Sequence, residues 1–261
     1  MNFLERCFDF TNRPVKSWFN VTIVAMVVFF TISFLSSAAN ASSIKTSAES
    51  VFRIDEQCSA VVIDTKFGDD KTYLLTAKHC VNDVKTGFID QEVSINGELQ
   101  RYNRYVYDVE KSSYKYDLAL LSVRDQSSKL PMSTLAEERI VNEGDEVYAI
   151  GYPLGWIRSI TRGVFNEYQN IDPNNHKKNN DVYYRATASV NFGSSGGGLF
   201  QPVGEGYELI GITSMKVRGT DFMNLFVPLE NIRDFLRLEK RAKEIRDSLK
   251  INLEEFPGER F

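Results

Sequence analysis

The chain carries only two histidines and three cysteines among its 261 residues. Zinc and related metal centres draw on those side chains. No two cysteines stand at C-x-x-C spacing, and His79 and His176 are the only imidazoles on offer, so no metal is expected. A long basic run is also missing, and the net charge is −4. That balance argues against nucleic acid as a general partner. No internal repeat or low-complexity tract interrupts the sequence. With 43% hydrophobic and 25% charged residues, the composition is that of a globular protein, and the length suits one or two domains.

Charge is absent altogether from residues 18–35, WFNVTIVAMVVFFTISFL. Arg6, Arg13 and Lys16 precede this stretch, and no basic residue follows until Lys45. Basic flanks stay in the cytoplasm, so the rest of the chain is expected to cross a membrane. Ala39 and Ala41 form an A-x-A pattern that a signal peptidase would cut after Ala41. The apolar stretch also falls within the roughly 17–25 residues that span a bilayer. Residues 1–41 are therefore read as a signal peptide or a signal anchor, and 42–50 as a linker. Cys7 stays behind with the targeting segment. Cys58 and Cys80 remain, an even pair in an oxidising compartment, which is the context of a disulfide, with two unpaired buried thiols as the alternative.

Short β-branched and apolar runs separated by turn signals follow. Residues 59–65 (SAVVIDT), 72–76 (TYLLT), 93–95, 105–109 and 118–123 (LALLSV) read as strands, with a turn at 67–70. The polar stretch 125–138 reads as a linker between halves. A second set of strands is expected at 146–152, 159–167, 182–188, 207–212 and 222–227, with a polar loop at 170–181. Many short strands of this kind predict an all-β sandwich or barrel. Residues 229–250 differ. Ile232, Phe235, Leu236 and Leu238 recur at spacings of three and four after Asn231, which predicts an amphipathic helix packed on the last strands.

One segment stands out chemically. Residues 192–200 read FGSSGGGLF, with glycine at four of nine positions. Glycine permits positive φ and close backbone approach. A serine on such a turn can be exposed while the N–H groups of Gly193 and Ser195 converge to hold an oxyanion. Alone, a Gly/Ser cluster is usually a turn or linker. A serine hydroxyl also needs a base. His79 sits in TAKHC, just after an apolar strand, whereas His176 in NNHKKNN has the setting of a solvated loop residue. The base in turn needs an orienting carboxylate. Asp117 opens YDLALLSV, an acid at the mouth of an apolar strand; taken alone it would be a turn aspartate. Residues 193–197 also fit the G-x-S-x-G nucleophile elbow, but in that fold the histidine follows the serine. No histidine follows Ser195, so that reading fails.

TAKHC, DLALL and GSSGG occur in the order His, Asp, Ser, and in this the chain resembles the chymotrypsin-like serine proteases. AIGYPLGWIRSITRGVF (149–165), TASVNFGSSGGGLF (187–200) and ELIGITSM (208–215) resemble the protease domain of HtrA/Deg-type enzymes. The resemblance covers roughly residues 50–235. It implies an all-β fold of two six-stranded barrels over 51–261. The first barrel, at about 51–124, would carry His79 and Asp117; the second, at about 139–228, would carry Ser195. A C-terminal helix at 229–250 would close the domain, and an N-terminal apolar targeting helix would precede it. The resemblance also implies that Cys58 pairs with Cys80.

Two departures stand out. Ser194 occupies a place where the family has Asn or Asp, and Gly198 one where Pro or Ala is common. The first implies no activation by a newly cut N-terminus. Too little chain follows Phe235 for a PDZ domain, so PDZ-governed regulation is not expected. Ser189, six residues before the candidate nucleophile, would floor the specificity pocket; a neutral floor favours small, aliphatic or aromatic P1 residues over Lys and Arg. Thr213, Ser214 and Met215 would pair with the substrate backbone as an added strand. The implied activity is that of a serine endopeptidase acting through a Ser-His-Asp triad and an acyl-enzyme, with no cofactor. It would be periplasmic, secreted or membrane-anchored through residues 18–35, and it would act on extended or unfolded polypeptide. Homo-oligomers are common among HtrA-like enzymes. The contrasting reading is a catalytically silent exported binding module, and such a module would be expected to have lost one of the three residues.

Overall fold

Strand β2 (Cys58–Ile63) reads CSAVVI and is buried along its whole length. Ala60 and Val62 enter one apolar cluster with Phe52, Leu74, Ala119 and Leu121. Val61 and Ile63 enter another, with Leu75, Leu120, Ile150, Phe200 and Ile212. Successive strand residues face opposite sides, so a continuous apolar run marks a strand covered on both faces. β6 (Leu118–Val123) follows the same rule.

The computed structural model of the chain describes residues 44–63, 71–95, 98–123, 130–170, 182–216, 220 and 222–254. β2 and β6 join β1 (Val51–Ile54), β3 (Thr72–Ala77), β4 (Thr86–Ile95) and β5 (Glu98–Ser113) in a closed antiparallel barrel of order β1-β2-β3-β6-β5-β4. A second closed barrel has the order β10-β11-β12-β9-β8-β7. Its strands are β7 (Glu146–Gly151), β8 (Ser159–Asn170), β9 (Val182–Ala186), β10 (Gly198–Val203), β11 (Gly206–Lys216) and β12 (Asn224–Pro228). Each barrel has its own interior: Phe52, Leu74 and Tyr107 in the first, Val147, Phe165 and Phe226 in the second. The cluster holding Val61, Leu120, Ile150 and Phe200 lies between them. The predicted two-barrel architecture is the one observed.

A helix follows β12 over Leu229–Glu254. Ile232 and Phe235 are fully buried in the cluster between the barrels, so the helix braces both barrels rather than the last one alone. The described parts of two expected linkers, residues 44–50 and 130–138, are packed against the barrels. Residues 44–49 form helix, and Ile44 and Ala48 enter the same cluster. In the 125–138 stretch, Leu130, Ser133 and Ala136 are buried. Ser133 N–H donates to the Val62 carbonyl at 2.9 Å, and Ala136 N–H to the Leu209 carbonyl at 3.0 Å. This crossing segment is therefore bonded to both barrels. The targeting segment at 1–41, the turn at 67–70 and residues 171–181 of the polar loop lie outside the described residues. Among the described residues, no helix is long and apolar enough to cross a membrane.

Candidate active site

One strand pair sets two of the three candidate residues. β3 and β6 run antiparallel with Ala77 opposite Leu118. His79 follows β3 in a 3-10 turn (Lys78–Val81), and Asp117 immediately precedes β6. The pairing therefore brings them side by side, and Lys78 N–H donates to the Asp117 carbonyl at 3.1 Å. Asp117 has φ of +50°, a left-handed conformation that aspartate enters more readily than most residues. His79 Nδ1 lies 3.0 Å from Asp117 Oδ2 and 3.1 Å from Oδ1. The His79 backbone N–H donates to Oδ1 at 3.2 Å, and Ser214 Oγ donates to Oδ2 at 2.6 Å. Burial pushes the Asp117 carboxyl up. The hydrogen bonds from His79 and Ser214, with the charge of His79, outweigh burial and hold it below the usual carboxylate range. An ionised carboxylate only accepts, so Nδ1 carries the imidazole proton and Nε2 is left to accept one.

Ser195 lies on the turn entering β10, where backbone bonds can be accounted for peptide by peptide. The Phe192 carbonyl accepts from Leu154 N–H at 2.5 Å. The Gly193 carbonyl accepts from Ser59 Oγ at 2.8 Å. The Ser194 carbonyl accepts from Gly197 N–H at 2.9 Å, and the Ser195 carbonyl from Ser59 N–H at 2.8 Å. Among the donors, Ser194 N–H reaches the Asn191 carbonyl at 2.9 Å and Gly196 N–H the Thr213 carbonyl at 2.7 Å. The N–H groups of Gly193 and Ser195 have no acceptor among the described residues. A trans peptide sets its N–H opposite its carbonyl. With the Phe192 carbonyl turned to Leu154, Gly193 N–H points the other way. Gly193 has φ of +88°, and a Cβ there would stand 2.4 Å from the Tyr152 carbonyl oxygen. No other residue fits.

Ser195 Oγ donates to the Ser214 carbonyl at 3.3 Å, and no hydrogen bond joins it to the His79 ring. Ser214 sits where β11 bulges between Thr213 and Met215. Bulges redirect side chains, and this one puts the Ser214 hydroxyl on Asp117 and its carbonyl on Ser195. Ser214, expected as a substrate contact, thus bridges two of the candidate residues. Thr213 is used within the chain: its N–H donates to the Gly197 carbonyl at 2.8 Å and its carbonyl accepts from Gly196. Met215 lines the cleft and is exposed. Ser189 does not line that cleft. It lines a smaller adjoining pocket with Ser159, Thr161 and Ser194, while Val190 lines both. Thr161 Oγ1 donates to the Ser189 carbonyl at 2.7 Å and holds that segment in place.

Cys58 and Cys80 form a disulfide with Cα atoms 6.0 Å apart. It ties the start of β2 to the turn that carries His79. The residue that sequence reasoning missed is Ser59, which makes two of the bonds around Ser195. Its signal was a lone hydroxyl in an otherwise apolar run, since a buried polar group must find partners. No cluster among the described residues has the donors for a metal.

The chain matches the model of the trypsin-like peptidase domain over residues 58–212. It is 32% identical over 157 residues to the mitochondrial serine protease HTRA2 of Drosophila pseudoobscura pseudoobscura, covering 60% of this chain and 34% of that protein. To serine protease HTRA4 of Mus musculus it is 31% identical over 149 residues, covering 57% and 30%. The chain thus spans well under half the length of these relatives. It shares its fold with the crystal structure of the serine endoprotease from Yersinia pestis, at a TM-score of 0.59 and 22% identity, over 77% of this chain and 66% of that one. With more than half of its sequence matched by the family model, the chain belongs to the trypsin-like peptidase domain family.

Proposed function

We propose that the chain is a serine endopeptidase with Ser195 as nucleophile, His79 as general base and Asp117 as the group that orients the base. The observation that carries this is the meeting of the paired His79–Asp117 from one barrel with the Ser195 turn of the other, whose Gly193 and Ser195 N–H groups have no acceptor among the described residues. Ser195 Oγ rotates from the Ser214 carbonyl toward His79 Nε2, since catalytic hydrogen bonds are often loose before substrate binds. The oxygen attacks the peptide carbonyl carbon while its proton passes to Nε2. The carbonyl oxygen gains the negative charge, which the two N–H groups stabilise. His79 then gives its proton to the amide nitrogen, the C–N bond breaks and the amine departs. Water, deprotonated by His79, cleaves the ester and restores the Ser195 hydroxyl. Asp117 stays ionised throughout and stabilises the imidazolium.

The substrate in this reading is an extended polypeptide laid along Ser214 and Met215. The apolar lining by Val190, Phe192 and Met215 supports an aliphatic or aromatic P1 residue. The enzyme is exported, cleaved from or anchored by residues 18–35; the Cys58–Cys80 bridge supports an oxidising compartment. The test is labelling of the oxidised chain by a fluorophosphonate, alongside Ser195→Ala. Labelling that disappears in the variant is expected. Equal labelling of the two proteins, or none of the folded wild type, would refute the proposal.

A further inference from the structure

Ser59 belongs to β2, in the barrel opposite the one that carries Ser195, and it is fully buried. Each of its polar groups is engaged. Oγ donates to the Gly193 carbonyl at 2.8 Å and accepts from Tyr152 N–H at 2.9 Å. Its N–H donates to the Ser195 carbonyl at 2.8 Å. Its carbonyl accepts from Thr76 Oγ1 at 2.7 Å. The two carbonyls that Ser59 holds belong to the residues whose N–H groups lack an acceptor among the described residues.

The hydroxyl therefore controls more than its own two bonds. Gly193 has no side chain to restrict it and sits at φ of +88°, so the orientation of its N–H depends on the peptides on either side. The peptide before it is held by Leu154 N–H on the Phe192 carbonyl. The peptide after it is held by Ser59 Oγ. Tyr152, which donates to that same oxygen, lies two residues before Leu154 in the same segment. One oxygen thus links both restraints. Without it, the Gly193 carbonyl and Tyr152 N–H lose their partner in a dry interior, and unpaired groups there drive rearrangement.

We infer that Ser59 is a positioning residue for the reaction, which aims Gly193 N–H at the developing oxyanion and sets the Ser195 turn in register with the barrel carrying His79. It acts through the turn and touches no substrate. The inference rests on the functional reading above.

The test compares the full oxidised chain with Ser59→Ala, Ser195→Ala and Ser50→Ala. Ser50 is a matched control: it is also fully buried in the first half, its hydroxyl bonded to the Ser47 carbonyl at 2.7 Å and to the Ser133 hydroxyl at 2.5 Å. The probe is a fluorophosphonate at increasing concentration, which resolves the reversible binding step (KI) and the covalent bonding step (kinact). Hydrolysis of dye-labelled denatured casein is followed in parallel. Losing an oxyanion donor outright slows reaction about 10²–10³-fold. For a donor misaimed by Ser59→Ala, kinact is expected to fall about 10- to 100-fold, with KI within about threefold and casein hydrolysis falling in step. Ser50→Ala should lose thermal stability and keep kinact. A Ser59→Ala kinact within about twofold of wild type, or a loss shared equally by kinact and KI, would overturn the inference. A folded wild type that neither labels nor cleaves would instead overturn the endopeptidase reading, and this inference with it.

Discussion

The Cys58–Cys80 bridge offers a direct test, because it touches both the stability of the first barrel and the placement of its catalytic candidates. The two cysteines are 22 residues apart in sequence. Closing a loop of that size in the unfolded chain is worth about 3 kcal/mol in the chain-entropy model. For a domain of this size, each kcal/mol moves the melting temperature by about 2–4 °C. Reduction, or the C58A/C80A pair, should therefore lower Tm by about 6–12 °C. The neighbours of the cysteines give the effect a second component. Ser59 follows Cys58 and holds the Ser195 turn, while His79 precedes Cys80. Loosening the bridge should slow fluorophosphonate labelling at temperatures where the chain is still folded. Far-UV circular dichroism melts of oxidised, reduced and doubly substituted protein would measure the first effect, and labelling rates well below Tm the second. A Tm shift under about 2 °C would show that the bridge constrains little. A normal labelling rate in folded, reduced protein would separate the bridge from the site.

Two further outcomes follow from the carboxylates. Asp117→Asn keeps the shape but changes which ring nitrogen of His79 carries the proton, so kcat on denatured casein should fall by about 10⁴ with little change in KM. Asp90 is almost fully buried and paired with Arg53 at 2.8 Å and Arg104 at 2.7 Å. Burial pushes its carboxyl up, but the hydrogen bonds and charges of Arg104 and Arg53 hold it below the usual range. A lowered folded-state value means that this stabilisation is present in full above the unfolded value of about 3.9 and is lost as pH falls through the folded one. Denaturation monitored from pH 7 downward should show wild type losing stability below about pH 4. D90N, already less stable at neutral pH, should converge on it there; a constant gap between the two would refute the assignment.

Much of the fold was legible because runs of apolar and β-branched residues are a local property. Residues 59–63 and 118–123 read as strands by runs that are apolar apart from Ser59 and Ser122. The candidate triad came less from any one residue than from the order of TAKHC, DLALL and GSSGG, by which the chain resembles the chymotrypsin-like serine proteases. The rest depended on what the chain brings together at long range. Nothing local reveals the bulge in β11 that aims the Ser214 hydroxyl at Asp117. Nor does anything local show that Thr161 bonds the Ser189 carbonyl, in the segment that lines the adjoining pocket. The stretches 42–50 and 125–138 read as linkers, yet Ile44, Ala48, Leu130 and Ala136 within them are buried, while Met132 stays exposed.

In the proposed mechanism one barrel brings the groups that carry charge and the other the N–H dipoles, so a small slip at their interface would misalign the site without unfolding either. The C-terminal helix enters this interface directly. Phe235 is fully buried in the cluster that holds Val61 and Leu120 of one barrel and Ile150 and Phe200 of the other. Lys111 of β5 sets its ammonium 4.9 Å from the same ring. Truncation by Phe235→Ala should cost about 3–5 kcal/mol, the usual range for a buried aromatic ring. The loss falls on contacts between barrels rather than within one. Labelling of Ser195 should therefore slow at temperatures below the onset of unfolding, with each barrel's far-UV signal intact. Melts and labelling rates recorded over the same temperature range would decide. If labelling and melting decline together, the helix supports the fold alone; if labelling declines first, it also holds the two halves of the site in register.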